Sequence, residues 1–167
     1  TQAAGAETPD TPVDGAWKKV ENASDLKAGD VIVLTYGDHA MGASSSKGDF
    51  RTQVSFNVAN VSDEVVKITL EAADDGKFYL KVADGYLAAP TSKENKLYTK
   101  ATKEEAGAWA ITINEGVVTI TPSNSADIEN RTLLYNSNAG QERFACYKAP
   151  NATNKNVEIY VNTEEDA

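Results

Sequence analysis

The residues of this chain whose types and spacing could do chemistry are carboxylates set beside aromatic rings. Asp84-Gly85-Tyr86 joins two apolar runs, and Asp-Gly in that setting is a strong tight-turn signal. The turn puts a carboxylate next to Tyr86, with Tyr98 and Trp109 supplied by the segments that follow. A carboxylate that accepts hydrogen bonds from neighbouring hydroxyls beside an aromatic face is the minimum chemistry for holding a sugar ring. If Trp109 is committed to the core, Tyr86 or Tyr98 must supply the stacking surface. Asp38 repeats the offset of Asp84: each lies two residues before an apolar segment, Ala40 to Ser44 and Tyr86 to Pro90. A third copy departs, because Asn130-Arg131-Thr132 immediately precedes Leu133 and Asp127 lies farther back. The expected ligand-binding residues are therefore Asp38, Asp84, Tyr86 and Tyr98, at one or two degenerate sites and not at three. Seven tyrosines and two tryptophans against four phenylalanines suit sugar stacking or a protein interface. Structural tyrosines in a β-barrel would give the same count.

No catalytic constellation accompanies these residues, and the chain reads as a non-enzyme. His39 is the sole histidine, which excludes a multi-histidine metal site. It follows Asp38, whose side chain strand alternation would send to the opposite face, and it reads as a solvent-exposed turn histidine. No serine stands in a nucleophile-elbow context. Asp63-Glu64, Asp74-Asp75 and Glu104-Glu105 read as solvated loops, and none has the spaced acidic residues and central glycine of a calcium loop. Neither a cofactor nor a metal is expected. The single cysteine, Cys146, excludes an internal disulfide and reads as a core thiol on the face of Phe144. Asn-x-Ser/Thr sequons begin at Asn22, Asn60, Asn130 and Asn151, in turns where those residue types are common enough to recur by chance.

The elements that must position these residues form a four-part pattern that occurs three times. An alternating strand opens each copy at Asp30 to Tyr36, Lys77 to Ala83 and Val117 to Ser123. A short apolar segment follows at Ala40 to Ser44, Tyr86 to Pro90 and Leu133 to Asn136, then a mixed one at Thr52 to Val58, Asn95 to Ala101 and Glu142 to Lys148. Val65 to Glu71, Ala108 to Asn114 and Val157 to Asn162 close the copies. A unit of roughly 40 residues built only of strands cannot bury its own apolar face, so the three copies must share one core. Period two assigns to that core Ile32, Leu34, Phe78, Leu80, Val118 and Ile120 from the opening strands. It also assigns Val66, Ile68, Leu70, Trp109, Ile111, Ile113, Val157, Ile159 and Val161 from the closing ones, with Phe144 beside them. Trp17 and Val20 flank a further strand, and Ser24 to Gly29 reads as one helical turn capped by Ser24 that buries Leu26.

A chain of 167 residues with 41% apolar content and no membrane-length apolar run fits one all-β domain over 16–162 without a transmembrane segment. Its net charge of −9 opposes phosphate backbones, so nucleic acid is not an expected partner. Thr1 to Gly15, rich in Pro, Ala, Thr and acidic residues, reads as a flexible linker, and Thr163 to Ala167 as a short acidic tail. The absence of an initial Met suggests a processed product or a piece of a longer precursor.

Lys77-Phe78-Tyr79-Leu80, Gly85-Tyr86-Leu87, Asn95-Lys96-Leu97 and Trp109-Ala110-Ile111 together resemble one lobe of a β-trefoil, the pseudo-threefold fold of ricin-type lectins, fascins and Kunitz-type inhibitors. The resemblance implies a β-trefoil of three four-stranded pseudo-repeats. The Gln-x-Trp signature of ricin-type lectins is missing, since Gly107-Ala108-Trp109 stands in its place, so the likeness supports architecture more than sugar binding. Leu133-Leu134-Tyr135-Asn136 and Arg143-Phe144-Ala145-Cys146-Tyr147 are similar to modules of secreted or surface proteins of gut Bacteroidetes. The resulting expectation is a secreted or cell-surface, noncatalytic, monomeric binding module with glycans favoured as ligand. The alternatives are a protein-interaction or structural domain of a larger surface protein and, more remotely, a protease inhibitor presenting Ser123 to Thr132.

Overall fold

The computed structural model describes residues 16–123 and 131–163. The linker reading of residues 1–15, Asp127, the Asn130 sequon, most of the candidate inhibitor loop and nearly all of the acidic tail lie outside the described residues. Strand β1 (Trp17–Lys19) precedes a first unit of β2 (Val31–Tyr36), β3 (His39–Ser44), β4 (Arg51–Ser55) and β5 (Ile68–Ala72). The second unit comprises β6 (Phe78–Val82), β7 (Gly85–Ala88), β8 (Tyr98–Lys100), a single helical turn α1 (Lys103–Ala106) and β9 (Trp109–Asn114). In the third come β10 (Val117–Pro122), β11 (Thr132–Asn136), β12 (Arg143–Tyr147), β13 (Asn154–Asn156) and β14 (Glu158–Asn162). No helix among the described residues is long and apolar enough to cross a membrane.

All the ladders are antiparallel, and most follow one scheme. The opening strand of a unit pairs with its second and fourth strands, β2 with β3 and β5, and β6 with β7 and β9. Fourth strands pair with the next opening strand, β5 with β6, β9 with β10 and β14 with β2. The second and third strands form hairpins β3–β4, β7–β8 and β11–β12. Opening and closing strands thus wall a barrel that three hairpins cap, the connectivity of a β-trefoil. The third unit departs locally: β10 lies against β11 and β14, and the extra strand β13 pairs with β11. At the cap the hairpins touch one another, with Phe144 opposite Arg51, Leu97 N donating to Asp49 O at 2.9 Å and Cys146 N donating to Lys96 O at 3.0 Å.

Most of the expected apolar face is inside. Ile32, Leu34, Ile68, Leu70, Leu80, Trp109, Val118, Ile120, Phe144, Val157 and Ile159 form one cluster, and Cys146 lies within it. Burying a large aliphatic or aromatic side chain contributes roughly 1.5–3 kcal/mol, so this set dominates the stability of the fold. Phe78, Val66, Ile111, Ile113 and Val161 only border the cluster. For Ile111 and Ile113 the cause is position, because cover on the Trp109 face of β9 thins toward the β9–β10 hairpin. A second apolar cluster of Trp17, Val33, Ala40, Phe56, Val61 and Val65 covers the opposite face of β2, so both faces of that strand are buried.

Some local readings require correction. Ser24 does not cap a helix; it lies inside a 3₁₀ turn at Ala23–Asp25 that starts from Asn22 without a side-chain cap, although Leu26 is buried as expected. Glu104-Glu105 belongs to α1 and is not loop, because Thr102 Oγ1 accepts a hydrogen bond from Glu105 N at 3.2 Å and caps the turn. The closing strand of the first unit begins at Ile68, since Val66 N is committed to Met41 O at 2.9 Å.

Candidate functional site

The chemistry of the first two units converges where β3 is irregular. Met41 faces Gln53 and Ser44 faces Arg51, so β3 carries one residue more than β4 across the interval, a bulge. Gly42 permits the close approach of the strands there, because a Cβ at this position would lie 2.8 Å from Val54 Cγ1. The bulge leaves the Gly42 carbonyl to accept from Arg51 Nη1 at 3.4 Å. Arg51 is only 3% exposed and donates through Nη2 to Thr99 Oγ1 at 2.8 Å. Its remaining partner is Asp84 Oδ1 at 3.5 Å, from the β6–β7 turn of the next unit. Burial pulls the Arg51 pKa below its ordinary value, and the neighbouring Asp84 charge opposes that pull.

Turn geometry places Asp84. Gly85 has φ +146°, and a Cβ there would come within 2.2 Å of Lys100 O, so only glycine lets β7 lie this close to β8. The Asp84 carboxylate remains 66% exposed beside the buried guanidinium. Together they edge a groove of about 480 Å³ whose walls are Ala43, Val54, Val66 and Ala83 and whose polar groups include Ser44, Thr52, Asp63 and Glu64. Asp63 and Glu64, read above as a solvated loop, are exposed but belong to this groove. The arrangement supplies fixed donors, carboxylate acceptors and hydroxyls around apolar walls, a set suited to reversible binding of a hydroxylated ring. Among the described residues no group of His, Cys, Asp and Glu is arranged to hold a metal ion.

The other expected site residues lie elsewhere. Tyr86 donates to Glu71 Oε1 at 3.0 Å and packs edge-on against Tyr79. Burial, with a smaller contribution from Glu71, raises its pKa. Tyr98 donates to Glu94 Oε1 at 3.1 Å and lines a separate hollow of about 270 Å³ with Thr91, Ser92 and Lys100. Burial and then Glu94 raise the Tyr98 pKa. Trp109 is fully buried, with Nε1 donating to Leu87 O at 2.9 Å, so it is a core residue. Asp38 is exposed in the β2–β3 turn.

His39 differs from the expected free turn histidine. It opens β3, its ring stacks on Tyr135 at 5.7 Å and 12°, and its Nε2 lies 3.3 Å from Asp38 Oδ1. Tyr36 also stacks on Tyr135, at 5.2 Å and 15°. Alternation failed to separate Asp38 from His39 because Asp38 belongs to the turn and not to the strand. Arg51 was not singled out from sequence at all. Its only signal is a cation opening a strand segment, and the partners that bury it come from β3, β8 and the β6–β7 turn.

No protein-family model matches the chain, and no curated sequence matches it. Solved structures similar in fold include the following two. One is the lectin of Polyporus squamosus bound to the human-type influenza-binding epitope Neu5Aca2-6Galb1-4GlcNAc, with a TM-score of 0.59 and 10% identity over 81% of this chain and 49% of that one. The other is the lysenin pore, with a TM-score of 0.52 and 15% identity over 87% of this chain and 47% of that one. The chain spans about half the length of each of these proteins, and at such identities the likeness concerns the fold alone, an all-β one shared with a lectin.

Proposed function

We propose that this domain is a noncatalytic module of a secreted or surface protein that binds glycans in the groove between its first and second units. The observation that carries this reading is the buried Arg51 guanidinium, held by Gly42 O and Thr99 Oγ1 and presented with the exposed Asp84 carboxylate at the edge of an apolar-walled groove. Such a pair offers a rigid donor and a rigid acceptor to adjacent hydroxyls, and charge-assisted hydrogen bonds are stronger than neutral ones. Ser44 and Thr52 add hydroxyls, while Val54 and Val66 can meet the C–H face of a sugar. Among large apolar side chains of the described residues only Val58 and Val117 are exposed, so recognition by polar grooves fits this surface better than an apolar docking face. The fold shared with a lectin supports the same reading.

At about 0.3 kcal/mol per heavy atom, a hexose of about twelve heavy atoms gains about 4 kcal/mol, equivalent to a Kd of about 1 mM. The test is a glycan array followed by amide-shift titration of the best oligosaccharide, with Asp84→Ala as control. Saturable shifts at Ser44, Thr52 and Asp84 that disappear in the variant are expected. If no glycan shifts these residues at millimolar concentration, the domain is a protein-interaction module instead.

A further inference from the structure

A second groove, of about 530 Å³, shares the lining residue Thr52 with the first. It is formed by the loop Ser45, Ser46, Lys47, Asp49 and Phe50 and by Arg143 at the start of β12. Its electrostatics are the reverse of the first. Asp49, its one acid, is already engaged: Oδ2 accepts from Lys96 Nζ at 2.9 Å and Oδ1 from Ser45 Oγ at 2.9 Å. The Lys96 hydrogen bond is the main cause that holds the Asp49 carboxyl below its usual pKa range. Lys47 is exposed. Arg143 is held in place by two contacts, its guanidinium carbon 4.0 Å from the Phe50 ring centroid and its Nε donating to Gln141 O at 3.0 Å. Among the described residues only its Nε has a hydrogen-bond acceptor, and the two η nitrogens have none. An oriented guanidinium with free donors, a second cation and the Ser46 hydroxyl around one cavity make a receptor for an oxyanion, while the Ser45 hydroxyl is spent on Asp49.

We infer that this groove is an anion subsite that takes the carboxylate or sulfate of an acidic saccharide, with Arg143 as the principal ligand, Lys47 adding charge and Ser46 donating. The saccharide carrier rests on the glycan reading above; the anion chemistry does not. Because the grooves meet at Thr52, an acidic oligosaccharide would lie with its acidic residue on the Arg143 side and a neutral residue by Arg51 and Asp84. The three carboxylates of the first groove, Asp63, Glu64 and Asp84, disfavour the opposite direction.

Glucose, glucuronate, glucose sulfate and inorganic sulfate distinguish the possibilities when titrated into the whole domain at low ionic strength and read at the Arg143 Nε–H and the Ser45 and Ser46 amides. Glucuronate and glucose sulfate are expected to bind about tenfold or more tighter than glucose, one charge-assisted contact's worth. The preference should fall with added salt, vanish in Arg143→Gln and weaken in Lys47→Gln, whose exposed side chain can be changed without disturbing the fold. If Arg143→Gln retains the preference, or if neither the acidic sugars nor sulfate shifts the Arg143 Nε–H, the inference is overturned. If sulfate alone shifts it saturably, the anion subsite stands and the saccharide carrier is refuted, while the glycan reading is decided separately by the shifts at Ser44, Thr52 and Asp84.

Discussion

Replacing Trp109 probes how the core holds the middle hairpin. The ring is fully buried at the start of β9, opposite Phe78 of β6, and its Nε1 donates to Leu87 O of β7, the strand that begins at the Asp84-Gly85 turn. Trp109→Ala deletes the ring and should cost about 3–5 kcal/mol. Trp109→Phe keeps most of the apolar area but leaves the buried Leu87 carbonyl without its donor, a penalty of roughly 1–3 kcal/mol. A domain of this size has on the order of 5–15 kcal/mol in total, so the alanine variant should be marginal and the phenylalanine variant measurable. Urea unfolding followed by circular dichroism gives both values, with the slope against urea unchanged if the native state keeps its area. Faster hydrogen exchange at Leu87 and Ala88 should accompany Trp109→Phe. A phenylalanine variant within about 0.5 kcal/mol of the parent would show that the indole bond does not hold the hairpin, and an alanine variant losing under about 1 kcal/mol would place the ring outside the core.

Gly85→Ala should open the β7–β8 ladder, since its Cβ would meet Lys100 O at 2.2 Å, and a loss of several kcal/mol in urea unfolding is expected; a loss under about 0.5 kcal/mol would contradict the close approach. Burial pushes the Cys146 thiol up to about 12 from 9.0, so its contribution to stability is intact below pH 9 and is lost as pH rises toward 12, by about 1.4 kcal/mol per pH unit. Cys146→Ala should remove one proton's share of that slope, and native protein should resist thiol labelling until it unfolds. Asp49 has a lowered pKa, so the benefit of its Lys96 bond is present above the ordinary carboxylate range and lost as pH falls through the lowered value. Lys96→Met should return the Asp49 titration, followed by carboxyl NMR, toward the ordinary range.

How much was legible in sequence depended on whether one strand or several set the environment. Period two located the opening strands because Ile32 and Leu34, or Val118 and Ile120, alternate with residues of another environment. It gave only half of β2, because Val33 is buried in a second cluster completed by Trp17 and Phe56. The Asp84-Gly85 turn was readable because its geometry is local. Its partner was not: Arg51 is buried by a bulge in β3, a threonine of β8 and a turn of the next unit, and only the assembled fold brings these together. For the same reason Asp84 was grouped with Tyr86, its neighbour in sequence, whereas the structure sets it against Arg51 and turns Tyr86 toward Glu71.

Whether the groove beside Arg51 and Asp84 receives a sugar ring is decided by intermolecular NOEs from the best array ligand to methyl-labelled protein. NOEs from sugar C–H protons to the methyls of Val54, Val66 and Ala83, lost together in Asp84→Ala, are expected. NOEs confined to the rings of Tyr86 or Tyr98, or unchanged in Asp84→Ala, would contradict it.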